Sequence, residues 1–95
     1  MNSPDNIAAA TKLIQAGIYD EAEALLAGAD DGSTQQLLGV ICFQSNRLSE
    51  AVSHFERAAR DLTDDGYLQN NLGQAYRAVG EIATAISAFE KAGEL

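Results

Sequence analysis

The sequence predicts an all-α protein, an α-solenoid of about three helix–turn–helix units. Three observations predict it. Ala and Leu are abundant, Pro4 is the one proline, and long β-branched runs are missing, which favours helix over strand. The chain repeats itself: laid one over the other, Asp30–Asp61 and Asp64–Leu95 are identical at 11 of 32 positions. Ordinary composition would give roughly two or three such matches. Within each copy, apolar residues recur at helical spacing on either side of a single turn residue.

The first unit spans about 3–29. Ser3 is a good N-cap and Pro4 suits the first helical position, so a helix should run from there to about Ala16. The stretch "GIYDEAEALLAGA" then supplies Gly17 and a second helix with Ala22, Leu26 and Ala29 on one stripe. Ala22, Ala51 and Ala85 fill matching slots, but Ala22 lies closer to Ala51 than Ala51 does to Ala85. The second helix should therefore be short and end near Gly28, with "DDGS" leading straight into the next.

The middle unit, about 32–65, is the clearest beside the last. Its first helix carries Leu38-Gly39, and Asn46 stands where a left-handed residue must end the helix. Its second helix carries Ala51, Phe55 and Ala58. In the last unit, about 66–95, Leu68, Leu72, Tyr76 and Val79 form one stripe, Gly80 the turn, and Ile82, Ala85, Ile86 and Phe89 the other. Gly39, Gly73, Ala51 and Ala85 sit where two helices must approach closely. Phe55 and Phe89 are expected to fill the space between neighbouring pairs.

Composition excludes several function classes. The formal charge is -8, with six Lys and Arg against 14 Asp and Glu. That disfavours nucleic acid and anionic membrane, both of which need clustered cations. No apolar run approaches the roughly 20 residues of a membrane span. "MNSPDN" lacks a basic and apolar leader, and Cys42 is alone, so no disulfide forms within the chain. A cytoplasmic setting is the default expectation.

These slots resemble the tetratricopeptide repeat family. Its unit of about 34 residues has Leu-Gly, an aromatic three residues on, then Ala, Phe and Ala in the second helix. Here they are Leu72-Gly73, Tyr76, Ala85, Phe89 and Ala92, and in the middle unit Leu38-Gly39, Cys42, Ala51, Phe55 and Ala58. Cys42 replaces the aromatic, Gln35 and Gln69 replace a bulky residue near the start, Ala9-Ala10 replaces Leu-Gly, and Thr63 replaces the boundary proline. The resemblance implies a right-handed solenoid that binds proteins rather than catalyses. Family members that grip chaperone C-termini use a clamp of Lys, Asn and Arg. The matching positions are Ile7, Thr11, Leu37, Tyr67 and Asn71, of which only Asn71 fits.

Chemistry finds little purchase. Cys42 belongs to the buried stripe, whereas His54 shares a face with Glu50, Arg57 and Asp61, so nucleophile and base should point apart. One His and one Cys make no closed zinc site, and "ADDGS" and "TDDGY" lack calcium-loop ligands. No cofactor is expected. Asp20, Glu21, Glu50 and Glu81 lie near second-helix starts, where carboxylates complement the dipole, so the acidic balance reads as helix-end chemistry.

The expected binding surface is the concave face lined by the first helices. It would take Ile7, Thr11 and Ile14 from the first unit, and Gln36, Leu37, Val40, Phe43 and Gln44 from the middle one. The last unit would add Tyr67, Asn70, Asn71, Gln74 and Arg77. The middle helix is then apolar on two faces: Leu38, Ile41 and Cys42 inward, Leu37, Val40 and Phe43 towards the groove. An apolar floor beside amides suits an extended peptide, since each amide both donates and accepts. The leading expectation is a non-catalytic module for a protein or peptide partner. The alternatives are an N-terminal segment of a larger enzyme, such as a transferase, and a self-assembling scaffold. Self-association is expected through the last helix, whose apolar stripe lacks a neighbour.

Overall fold

The computed structural model describes residues 2–94. Among them are six helices and no strand: α1 (Pro4–Gln15), α2 (Tyr19–Leu26), α3 (Gly32–Gln44), α4 (Leu48–Asp61), α5 (Gly66–Ala78) and α6 (Ile82–Glu94). They stack as three helix pairs in chain order, an all-α helical-repeat solenoid.

The helix ends follow from local chemistry. Each first helix is capped by a side chain that accepts from the amide three residues on. Ser3 accepts from Asn6, Asp31 from Thr34 and Asp65 from Leu68. Pro4 occupies the first position of α1. At Asp31, burial resists ionisation, but the Thr34 hydroxyl and amide outweigh it and hold the carboxyl below its usual range. The second carboxylate of each "DDG", Asp31 and Asp65, is therefore a cap.

The first helices also end alike. Gly17, Asn46 and Gly80 all have positive φ, at 76°, 61° and 88°. The next amide then reaches back five residues: Ile18 to the Leu13 carbonyl, Arg47 to Cys42 and Glu81 to Tyr76, each at 2.8 Å. These are Schellman turns, and they lead directly into the second helix. Neither α2 nor α4 has a side-chain cap. α2 has eight residues against 14 in α4. That shortening accounts for the close spacing of Ala22 and Ala51.

Close approach within a pair depends on glycine. A Cβ at Gly39 would lie 2.5 Å from the Phe55 ring, and one at Gly73 would lie 2.5 Å from the Phe89 ring. Each phenylalanine thus seats first on the glycine of its own pair, where it was expected between pairs. Phe55 reaches the next pair as well.

Two clusters form the core. Ala10, Ala22, Leu26 and Ile41 join the first pair to α3. Cys42, Ala51, Phe55, Ala58, Leu68, Leu72 and Ala75 join α3 and α4 to α5. The consecutive residues Ile41 and Cys42 fall in different clusters, so α3 is a wall shared by both.

Candidate functional site

The sequence divided α3 into an inward face and a groove face. The packing divides it otherwise. Leu37 and Leu38 join Ile41 against the first pair, while Val40 and Phe43 join Cys42 against α4 and α5. A central helix has neighbours on both flanks, so its second apolar face is largely covered by the fold.

A small opening remains between α3 and α5. Val40, Phe43 and Gln44 line one side, Asn71 and Gln74 the other, and Phe55 closes the floor around a cavity of about 60 Å³. Five of the expected groove residues therefore converge. The rest lie elsewhere on the first helices. Ile7, Ile14 and Leu37 pack half-buried against the N-terminal cluster. Thr11 donates its hydroxyl to the Ile7 carbonyl at 2.8 Å. Gln36 is half-buried, Asn70 is exposed, and Tyr67 stands 84% exposed near the start of α5. Arg77 places its guanidinium 5.7 Å from the Phe89 ring centre, a cation–π contact.

Cys42 and His54 have separate partners. The buried Cys42 thiol lies 3.9 Å from a Glu50 carboxylate oxygen, and burial pushes its pKa up, the opposite of an activated thiolate. His54 Nδ1 is 2.7 Å from Gln35 Oε1. The Gln35 amide nitrogen donates to the Ala29 carbonyl at 3.0 Å. Its oxygen must then face His54, which carries its proton on Nδ1. Burial, then the nearby Arg57 charge, holds His54 below its ordinary pKa. Gln35 is the buried link between the α2–α3 loop and α4. The sequence showed it only as a departure from a bulky residue.

Sequence reasoning also missed the tie between the first two pairs. Arg47 bonds both carboxylate oxygens of Glu23, at 3.3 and 2.7 Å, and reaches Glu50 at 3.3 Å. The bond from Arg47 lowers the pKa of Glu23, and Arg47 is raised in turn. Glu23 and Arg47 stand far apart in the chain, so no local spacing marks them. Among the described residues, no three His, Cys, Asp or Glu side chains gather as a metal site. No helix there is long and apolar enough to cross a membrane.

Stacked helix pairs with capped first helices and an amide-bearing inner face define a helical-repeat module of the protein-interaction or scaffold class. Residues 67–95 match the tetratricopeptide repeat family model. Across 97% of its length the chain superposes on 74% of a solved chain of a MamA mutant, with a TM-score of 0.79 and 28% identity. These two findings support the tetratricopeptide-repeat reading of the fold, with the family match lying in the last unit. No curated protein sequence matches it significantly.

Proposed function

We propose that the chain is a non-catalytic module that holds a peptide or protein segment along its first helices, centred on the opening between α3 and α5. One observation carries this reading. Val40 and Phe43 face Asn71 and Gln74 across a single cavity, an apolar side opposite an amide side. That pairing offers burial to a side chain and hydrogen bonds to extended backbone. Affinity capture with the purified chain as bait, compared with Phe43→Ala, tests it. A partner recovered by the parent should be lost or strongly reduced with the variant, while circular dichroism stays helical. Equal recovery would place the binding surface elsewhere.

Self-assembly is a second reading, and one observation favours it. Ile82 and Ile86 are each 53% exposed on α6, beside Val79 at 39%. Sedimentation across a concentration series distinguishes a monomer from an assembly built through that stripe.

A further inference from the structure

The internal repeat makes two outer clefts equivalent. The first is lined by Asp20, Glu23, Ala27, Ser45 and Arg47, the second by Ser49, Val52, Glu56, Val79 and Glu81, with Tyr76 beside them. Matched by position, Asp20 answers to Ser49, Glu23 to Val52, Ala27 to Glu56, Ser45 to Val79 and Arg47 to Glu81. The first three pairs share the offset from Ala22 to Ala51, and the last two share the longer offset from Ala51 to Ala85, as the short α2 requires.

The two clefts differ in their cation. In the first, the chain supplies its own: the Arg47 guanidinium lies between the carboxylates of Glu23 and Glu50. In the second, Glu81 stands where Arg47 stood and Glu56 replaces an alanine. No Lys or Arg lines this cleft, whose volume is about 380 Å³. The Glu56 carboxylate is already aimed, because the Tyr76 hydroxyl donates to it at 2.7 Å. Burial, then that bond, pushes the Tyr76 pKa up to about 12. Val52 and Val79 add apolar wall.

We infer that this second cleft, which presents the Glu56 and Glu81 carboxylates and no cation of its own, binds an arginine side chain of a protein partner. A guanidinium suits it: the planar group bonds two carboxylates and lies against the Tyr76 ring, while its methylene stem covers Val52 and Val79. The net charge of -8 draws a basic segment towards the chain. The site shares no lining residue with the opening between α3 and α5, so it is a separate surface. It also gives Glu81 a role that helix-end chemistry did not.

The test is a magnetic-resonance titration of the isotope-labelled chain with acetyl-arginine methylamide. Acetyl-citrulline methylamide, of the same shape without charge, is the control. Arginine should produce saturating shifts at the amides of Val52, Tyr76, Val79 and Glu81, with citrulline weaker by about fivefold or more. Glu81→Arg replaces one of the cleft's two carboxylates with a guanidinium and should abolish those shifts. Glu56→Gln, which leaves Tyr76 an acceptor, should weaken them. Equal binding of citrulline, or shifts centred on Phe43 and Asn71, would overturn the inference. If Glu81→Arg disturbs the whole spectrum, Glu56→Gln decides, and unchanged affinity there refutes the site. Phe43→Ala should leave the titration unaltered, so the groove reading stands or falls separately.

Discussion

Phe55 and Phe89 rest on equivalent glycines at the same distance, yet Phe55 is 2% exposed and Phe89 is only half-buried. The difference is the neighbour. α5 lays Leu68 and Leu72 into the cluster that holds Phe55, whereas α6 has no further helix beside it among the described residues. The position of Phe43, which packs into that same cluster, becomes Arg77 one unit later, and its guanidinium covers the Phe89 ring instead. Val52 and Ile86 differ in the same sense: Val52 packs on the core, and Ile86 is 53% exposed. A repeat therefore fixes which residues meet inside a pair. The next unit decides which of them are buried.

The largest expected effect breaks that symmetry at the glycines. Gly39→Val drives a side chain into a ring confined on every side, and overpacking of this kind costs about 1–3 kcal/mol. A cost of about 1 kcal/mol lowers Tm by roughly 4–8 °C in a domain of this size. Gly73→Val meets Phe89, which can swing towards solvent, so its Tm should fall less. Thermal melts followed by circular dichroism compare the two. Equal losses would show that Phe89 is as confined as Phe55.

A smaller contrast is expected on the outer stripe. Val52→Lys puts an ammonium beside the core and should lower Tm. Ile86→Lys, at an exposed site, should alter stability by no more than about 0.5 kcal/mol. The same Ile86→Lys should reduce any assembly seen by sedimentation. If it melts as low as Val52→Lys, α6 is covered by more than this stack.

The smallest effect is on pH dependence. Tyr76 is raised from an ordinary value near 10 to about 12, chiefly by burial and then by its bond to Glu56. A raised folded-state pKa means the contribution is complete below about pH 10 and is lost as pH climbs through about 12. Ultraviolet titration should show Tyr76 ionising earlier in Glu56→Gln. An unchanged curve would mean that the carboxylate does not hold the hydroxyl.

The parts of the fold legible in the sequence were those written in short spacings. Ser3 declares a cap, Asn46 and Gly80 declare turns, and the interval from Ala22 to Ala51 declares a short α2. Contacts between units were less legible, because they depend on how one pair is set against the next. The Arg47–Glu23 pair and the Glu56–Tyr76 bond each join neighbouring units, and even the Gln35–His54 bond within the middle unit joins residues far apart in the chain. The groove shows the same limit. Periodicity marked Leu37, Val40 and Phe43 as a second apolar face, but not that neighbouring helices would take most of it.

The brevity of α2 has a consequence in time. At about 1.5 Å of rise per residue its eight residues give roughly 12 Å of helix, little more than half the length of α4. The N-terminal hairpin is therefore held by the shortest helix-to-helix contact of the three pairs. Beside its apolar cluster it has polar ties: the Arg47 guanidinium on Glu23, and the Asn2 amide donating to Leu26 and Thr34 at 3.2 Å. Such a hairpin is expected to open first under native conditions, with its amide protons exchanging soonest, which hydrogen exchange would read. Each opening bares Leu37, Leu38 and Ile41 together, so the stretch that proteases and aggregation meet first is α3, at the middle of the chain.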